Sequence, residues 1–444
     1  MAVLLMGAAM FTACDDNDNE QHEYIVPVTK GAFLVCSGNM SSNIDGSVSY
    51  LDYTSNQVAN KQFQAQNGRS LGGTPNDALV YGSKMYIAVT GENTLEVVDA
   101  KTLKSLRQIK TNVTFGEGCL KPRHLTASGD KVYISFYGKS ESSYDENWNA
   151  TTKGNGYVVA IDTTTFTRQG IYEAGSFPEG ISVADKKLYV CNSDYAACTK
   201  PSISIIDLTT GSGSLIKNDN IVNPQKIVLT AAGDMYVLDF GNYGDKKSGV
   251  YKISAKNNEV TRLMDANDMD CIGSNIFGYY TEFDASYKPV KTTYQVYNLL
   301  SQGTSTFYTD TNNEIIPACI GVDPVVGTVF IASNVKNADT GKTDYKANSK
   351  IFMFNVEYSQ HGVFVSASKN ANVWGATAGV GPCAFAFNVT TNVIIYLIDR
   401  DASVHPVWND DRVAVILRRP NGRSAGWWRH ASFKIFLFVD YCAS

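Results

Sequence analysis

Residues 72–102 read GGTPNDALVYGSKMYIAVTGENTLEVVDAKT, a proline followed by three short apolar runs. The middle run, KMYIAV from Lys84, alternates on a period of two, as a strand with alternating burial requires. The third run closes on Asp99 with Thr102 just after it, a pattern typical of an Asx-type turn. The stretch therefore predicts three consecutive short strands joined by turns.

The same order of elements recurs along the chain. The middle run returns as KVYISF from Lys131, KLYVCN from Lys187, DMYVLD from Asp234 and TVFIAS from Thr328, with GAFLVC from Gly31 as an earlier relative. The prolines that open the copies are Pro75, Pro122, Pro178, Pro224, Pro317 and Pro382. The interval between Pro224 and Pro317 is about twice the usual one, which predicts a further copy without a proline, beginning near Asp270.

A long-period repeat with about four strands per copy is typical of β-propeller blades, because a lone four-stranded sheet cannot bury both faces. We predict an all-β fold, a seven-bladed β-propeller over residues 31–389. The first copy lacks the proline strand, and GPCAFAFN from Gly381 is a proline strand with no successor. The N- and C-terminal strands are therefore expected to share one blade. An all-β sandwich is the alternative, but it gives no reason for the repeat or for the complementary ends.

Both ends of the chain differ from the repeats. Residues 1–14 are apolar and small up to Cys14 and resemble a bacterial lipoprotein signal with FTA before the lipidated cysteine, although Phe11 replaces the usual Leu and no basic residue precedes the run. We expect the natural start upstream of Met1, and a disordered apolar end is the alternative. Residues 15–30 form an acidic tether, which resembles the surface-display signal of Bacteroidetes lipoproteins. Residues 390–444 are rich in Arg and Trp and predict a frameshifted or unrelated tail, with a capping segment as the alternative.

Composition narrows the function. The net charge of -5 disfavours a nucleic-acid partner. Nine cysteines without a CxxC pair and only five His predict no metal site and no cofactor. If the ends share a blade, Cys36 and Cys383 lie on neighbouring strands and are a candidate disulfide, with buried free thiols as the equal alternative. No nucleophile elbow, P-loop, zinc-protease or dinucleotide motif is present, so we predict no catalytic residue.

Alternating strand direction predicts that the loops entering each inner strand and those between second and third strands share one face. The long insertions fall there, at residues 138–156, 193–200, 241–247 and 335–349. One-sided elaboration of a rigid scaffold indicates a binding face. We predict that its ligand contacts include aromatic side chains in these loops and polar residues at the mouth of the central channel. They are Tyr144, Trp148, Tyr195, Tyr243 and Tyr345, with Asn76, Arg123, Glu179, Asn192, Gln225 and Asn242. Turn geometry is the alternative for the asparagines.

Residues 31–389 resemble the YncE-like propeller surface lipoproteins of Bacteroidetes, on GAFLVCSGN, the stretch from Gly72 and PEGISVADKKLYVCNSD. The resemblance implies an outer-membrane protein anchored by lipid on Cys14 and exposed at the cell surface. Some members of the wider group capture corrinoids and pass them to a TonB-dependent transporter, although their contact residues have no matching motif here. We therefore predict a non-enzymatic binder of a small nutrient, with a corrinoid as one candidate. The alternatives are a scaffold for glycan or protein contacts and, third, a propeller hydrolase or lyase.

Overall fold

The computed structural model describes residues 20–147, 149–194, 197–242, 244–286, 288–399, 407–409 and 412–418. Contacts divide the chain into two units, and the described part of the first is residues 28–390. That unit is a seven-bladed β-propeller built of four-stranded antiparallel sheets, as the repeat predicts. No helix in the described ranges has the length and apolar character that crossing a membrane requires.

The strands of each blade run in order from the inner position, at the channel, to the outer one. Blade 1 comprises Pro382–Asp399, Glu20–Cys36, Ser47–Asp52 and Gln57–Ala59. Blade 2 comprises Pro75–Tyr81, Lys84–Val89, Thr94–Asp99 and Ser105–Lys110. Blade 3 comprises Pro122–Ser128, Lys131–Phe136, Tyr157–Asp162 and Arg168–Glu173. Blade 4 comprises Pro178–Ala184, Lys187–Asn192, Ser202–Asp207 and Gly213–Ile216.

The remaining blades follow the same order. Blade 5 comprises Pro224–Leu229, Met235–Asp239, Gly249–Ile253 and Val260–Asp265. Blade 6 comprises Asp268–Ile272, Asn275–Phe283, Pro289–Asn298 and Gly303–Asp310. Blade 7 comprises Ile316–Val322, Val329–Lys336, Asn348–Tyr358 and Phe364–Lys369. Blade 6 is the copy without a proline, and its inner strand begins at Asp268, two residues before the predicted position.

A few short elements lie between the blade strands. A hairpin, Glu141–Tyr144 with Ala150–Lys153, is inserted in blade 3. In blade 7, Thr343–Asp344 pairs with the second strand and Ala376–Val380 with the third. The helical segments are Met40–Ser42, Gln62–Asn67 and Thr111–Thr114. All of these elements lie in connections that enter an inner strand or join a second strand to a third.

Hydrophobic packing joins each blade to the next. Within the described residues, seven clusters of buried apolar side chains occupy the seven interfaces between neighbouring blades. Alternation along each strand explains this arrangement, since successive side chains point to the two opposite neighbours. In blade 3, for example, Val159 packs towards blade 2 while Val158 packs towards blade 4. Stacking round a closed ring therefore buries both faces of every sheet.

Acidic turns close the third strands as predicted. The Asp99 Oδ1 atom accepts hydrogen bonds from the backbone N–H groups of Lys101 and Thr102, at 3.1 and 2.8 Å. Asp52, Asp162 and Asp207 accept from backbone N–H groups in the same way. These carboxylates thus hold the chain reversal.

Ring closure places the two predicted strands side by side in blade 1. The strand Pro382–Asp399 is the hydrogen-bonded neighbour of Glu20–Cys36. The Cys383 Sγ atom lies 3.3 Å from the Val35 carbonyl oxygen, and Thr390 Oγ1 lies 3.3 Å from the Val28 carbonyl oxygen. Phe385 packs in the same cluster as Leu34, towards blade 7, and Ala386 packs in the same cluster as Phe33, towards blade 2. The shared blade predicted from the complementary chain ends is confirmed.

The candidate disulfide fails in this arrangement. Cys36 and Cys383 both carry free thiols. The two cysteines lie on neighbouring strands, but their side chains occupy opposite faces of the sheet. Cys36 packs in the cluster towards blade 7, and Cys383 packs against the cluster towards blade 2. The prediction followed the strand pairing correctly but ignored which face of the sheet each side chain occupies.

The second unit is described at residues 20–27, 391–399, 407–409 and 412–418. In it, residues 393–399 pair in parallel with Arg412–Arg418, which pairs in turn with Val407–Asn409. The predicted signal peptide and Cys14 lie outside the described residues. The frameshift interpretation of residues 390–444 stays a prediction.

Candidate functional site

The two faces of the propeller are unequally elaborated. All four predicted insertions lie between second and third strands, on the face from which the inner strands start. On the opposite face the turns within blades are short, such as residues 82–83 of blade 2 and 129–130 of blade 3. We call the elaborated side the loop-rich face. The residues after the blade prolines begin the inner strands and therefore lie at its channel mouth.

A compact group of charged side chains occupies this mouth at blades 2 to 4. The Arg123 Nε atom lies 3.0 Å from Glu179 Oε2, and its NH2 atom lies 3.3 Å from Oε1. The side chain of Glu179 is only 3% exposed and that of Arg123 is 18% exposed. The Arg123 guanidinium also lies over the Tyr137 ring, 4.6 Å from its centroid, and the Tyr137 hydroxyl donates to Glu179 Oε1. The sequence predicts ligand contacts for both residues, and these contacts stay predictions. In the structure each residue neutralises the charge of the other.

His124 joins this ion pair to a second carboxylate. Its Nδ1 atom lies 3.4 Å from Asp77 Oδ2 and its Nε2 atom lies 3.4 Å from Glu179 Oε2. Burial by itself would lower the pKa of His124, but hydrogen bonding and attraction from Asp77 and Glu179 outweigh it and raise the pKa above 6.5. With His124 protonated, the four charges of Asp77, Arg123, His124 and Glu179 sum to zero. We call these four residues the mouth cluster.

The electrostatics of Glu179 follow from these contacts. Burial would raise the pKa of its carboxyl, yet Arg123, His124 and Tyr137 outweigh the burial and lower the pKa to about 2. Glu179 is therefore ionised at any physiological pH. Since its oxygens face Arg123, His124 and the Tyr137 hydroxyl, this carboxylate is committed to holding the cluster together.

Carboxylates on inner strands also tie neighbouring blades to one another. The Asp77 Oδ2 atom accepts from the Leu125 N–H at 2.9 Å, and Asp268 Oδ2 accepts from the Ile320 N–H at 3.0 Å. Lys226 Nζ lies 2.6 Å from Asp268 Oδ1, which joins blade 5 to blade 6. Burial lowers the pKa of Lys226, but Asp268 outweighs it and the net shift is upward. These links make the channel wall a fixed framework.

The other predicted contact residues are distributed over several places. Asn76 donates from Nδ2 to the Arg123 carbonyl oxygen at 3.0 Å, and Gln225 donates to Asn223 Oδ1 at 2.6 Å. Both are half-buried at the channel mouth. Asn242 holds a turn, because its Oδ1 atom accepts from the N–H groups of Gly244 and Lys246 at 3.0 Å each. That geometry matches the turn alternative for Asn242.

Asn192 and the loop aromatics lie away from the mouth cluster. Asn192 is fully buried under a groove between blades 3 and 4. Tyr144 is 54% exposed in the blade 3 hairpin and Tyr345 is 60% exposed in blade 7, so both present their rings on the loop-rich face. Trp148, Tyr195 and Tyr243 lie outside the described residues. Their predicted ligand contacts stay predictions.

Sequence reasoning missed Asp77 and His124. A β-bulge follows the inner-strand proline in blades 2 to 5, where the register shifts between Pro75 and Asp77, for example, and between Pro122 and Leu125. A bulge interrupts strict alternation, so two adjacent residues reach the cluster where a regular strand offers one. The sequence did carry a signal for these two residues, because polar side chains follow the proline of each of these blades. The two residues after the proline are Asn-Asp, Arg-His, Glu-Gly and Gln-Lys in blades 2 to 5.

A protein-family model matches the N-terminal part of the propeller. Residues 30–136, from blade 1 to the second strand of blade 3, match the Domain of unknown function (DUF5074). No curated protein matches the chain. Among the described residues, no group of three or more His, Cys, Asp or Glu side chains is arranged to hold a metal ion.

Solved structures with a similar fold come from several organisms. A putative 6-phosphogluconolactonase from Bacteroides uniformis is 10% identical, with 81% of this chain and 100% of that chain covered and a TM-score of 0.51. The periplasmic gluconolactonase PpgL of Pseudomonas aeruginosa is 11% identical over 80% of this chain and 98% of that chain, with a TM-score of 0.49. The Kuenenia stuttgartiensis hydrazine synthase is 15% identical over 71% and 94%, also at 0.49. At these identities the similarity concerns the fold alone.

Proposed function

We propose that the protein binds a small polar ligand without transforming it, and that the ligand sits on the loop-rich face over the mouth cluster. The observation that carries this proposal is the coincidence of two features at one end of the channel. The long insertions all surround that end, and the wall there presents fixed, partly exposed charged and amide groups. Fixed hydrogen-bonding groups bind a ligand at low entropic cost, because they are already ordered before it arrives.

The chemistry of the mouth cluster favours binding over catalysis. A general base needs a lone pair directed at substrate, whereas both ring nitrogens of His124 face carboxylates. Glu179 is engaged by Arg123 and Tyr137, and its low pKa makes it a poor proton acceptor. The cluster as folded is therefore suited to present charge and hydrogen bonds to a ligand.

A corrinoid is the first ligand to test, because its rim of amide groups offers both donors and acceptors to such a mouth. With the purified protein, cyanocobalamin at a hundred times its dissociation constant should add about 2.7 kcal/mol to the free energy of unfolding. Thermal unfolding with and without the ligand, and absorbance after dialysis, measure this. A matched neutral oligosaccharide tests the scaffold for glycan contacts. Stabilisation by the oligosaccharide alone would replace the corrinoid proposal by the glycan one.

A lactonase is the competing proposal, and it rests on the fold shared with the Bacteroides uniformis structure. Hydrolysis of 6-phosphogluconolactone above the uncatalysed rate, with the activity lost in His124→Ala, would overturn the non-enzymatic proposal. The Glu259→Ala variant, which changes an exposed residue, is the matched control for His124→Ala. Buffer without protein gives the uncatalysed rate. We expect no difference between the wild-type protein and buffer.

We propose further that the propeller is displayed on the outer membrane by lipid on Cys14 and hands its ligand to a TonB-dependent transporter. The support is the sequence FTAC at residues 11–14 and the acidic run that follows it. Labelling of host cells with a fatty-acid analogue should mark the wild-type protein and not the Cys14→Ala variant. Equal labelling of the two would contradict the anchor, whatever the result of the ligand tests.

A further inference from the structure

A groove of about 380 Å³ opens between blades 3 and 4, apart from the mouth cluster. Its walls are formed by the connection from blade 3 to blade 4 and by the third and outer strands of blade 4. The volume lies at the lower end of the range for small-molecule sites and would hold a monosaccharide-sized compound. The groove belongs entirely to the propeller unit.

Alternation along the third strand of blade 4 places two serines in this groove. In SISIID, Ser202, Ser204 and Ile206 share the face towards blade 3, whereas Ile203 packs towards blade 5. Both serines are 3% exposed. The strand therefore lines the groove with two hydroxyl groups at positions where a propeller interface usually holds packed side chains.

Buried Asn192 fixes these hydroxyls as donors. Its Nδ2 atom donates to Ser202 Oγ at 3.0 Å and to Ser204 Oγ at 2.8 Å, while its Oδ1 atom accepts from the Gly175 N–H at 2.8 Å. Each serine oxygen thus already accepts a hydrogen bond, and neither hydroxyl hydrogen has an acceptor among the described residues. The two O–H groups are left to donate into the groove.

Blade 2 shows how the corresponding space is filled elsewhere. Aligned on the acidic turn, Glu96 takes the place of Ser204, and it is 1% exposed. Arg69 NH2 lies 2.7 Å from Glu96 Oε1, and Ser105 donates to the same oxygen. The protein thus supplies both the anion and its donors in blade 2. In blade 4 the strand supplies no carboxylate at the position of Glu96, and serine and lysine side chains line the space instead.

Lysines outnumber carboxylates among the charged residues that line the groove. Lys200 and Lys217 line it, are exposed, and form no ion pair with any described carboxylate. Glu173 also lines it, but its Oε1 atom accepts from Asn155 Nδ2 at 2.8 Å. Two ammonium groups and two hydroxyl donors therefore stand against a single carboxylate along the groove.

We propose that the groove between blades 3 and 4 is a binding site for a small organic anion of monosaccharide size, with Ser202, Ser204, Lys200 and Lys217 donating to its carboxylate or phosphate oxygens. Asn192 acts as a positioning residue beneath the serines. Charge-assisted hydrogen bonds of this kind are about twice as strong as neutral ones, so the anionic group dominates recognition. The proposal uses none of the mouth-cluster residues and stands or falls independently of the proposed function.

Calorimetric titration of the whole protein with three probes tests the site. Glucuronate supplies a carboxylate, glucose 6-phosphate supplies a phosphate, and glucose is the neutral reference. We expect one or both anions to bind at least tenfold more tightly than glucose and to weaken as salt is raised. The stronger of the two anions identifies the preferred oxyanion.

Variants separate the groove from general charge. In Lys200→Met/Lys217→Met the dissociation constant of the anion should rise at least tenfold, and in Ser204→Val it should rise while thermal unfolding stays close to wild type. Lys256→Met, which removes an exposed lysine in a turn on the opposite face, should leave the affinity unchanged. The proposal is overturned if neither anion binds at about 20 mM, or if the double lysine variant and Lys256→Met bind the anion equally.

Discussion

Replacing Glu179 by Ala is expected to lower the free energy of unfolding by about 3 kcal/mol or more. The reason is that Arg123 would keep its charge in a largely buried position without the carboxylate that now lies 3.0 Å away. His124 would lose one of its two acidic neighbours at the same time. Chemical denaturation of wild type and variant measures the difference.

Two companion variants make the result specific to the buried pair. Glu259→Ala removes an exposed carboxylate and should change stability by less than about 0.5 kcal/mol. Arg123→Met/Glu179→Met replaces the whole pair by apolar groups and should recover much of the loss, since no unpaired charge is left. If the double variant is no more stable than Glu179→Ala, the destabilisation comes from packing rather than from charge.

The pH dependence has a defined sign. Because the folded-state pKa of Glu179 lies below its unfolded value, its ionised form stabilises the protein above about pH 4.3. That contribution is lost as the pH falls towards about 2. The gap in stability between wild type and Glu179→Ala should therefore narrow on acidification. A gap that widens below pH 4 would contradict the ionised carboxylate.

Removal of the closing strand is expected to have the largest effect of all. A chain that ends at residue 381 lacks the inner strand of blade 1 and leaves the second strand without its partner. It also loses Phe385 and Phe387, whose rings lie 5.7 Å from that of Phe330 on blade 7. We expect this chain to lose cooperative unfolding and to aggregate through the open edge. A chain that ends at residue 390 should keep the cooperative transition.

A point variant tests the same closure without truncation. Phe385→Ala should lower stability by about 2–3 kcal/mol, since the half-buried ring also packs against Gly321. Phe283→Ala, which removes a ring that is 56% exposed in blade 6, is the matched control and should have little effect. Equal losses in the two variants would show that closure does not depend on this strand.

The fold could be predicted because every copy repeats the same local physics. The period-two runs, the proline before each inner strand and the Asx turn at Asp99 are all short-range signals. The copy without a proline was placed two residues late, because Asp268 takes over the first position of its inner strand. Ring closure followed from the complementary ends, but the complementary ends do not reveal which sheet faces Cys36 and Cys383 occupy.

The candidate sites were predictable only in part. Arg123 and Glu179 stood out because a charge at a buried position must find a partner, and they are each other's. His124 and Asp77 enter through β-bulges, which strict alternation does not anticipate. The proposed anion site between blades 3 and 4 depends on serines in blade 4, where blade 2 carries Glu96. The sequence alone does not show that these serines line a groove, because the groove forms only when the blades stack.

Hydrogen exchange with and without cyanocobalamin is the most direct test of the loop-rich face as the binding face. We predict that the ligand slows exchange in the insertions at residues 138–156, 193–200, 241–247 and 335–349 and at the starts of the inner strands. Turns of the opposite face, such as residues 129–130, should exchange at unchanged rates. Slowed exchange confined to the opposite face, or no slowing anywhere at saturating ligand, would contradict a binding site on the loop-rich face.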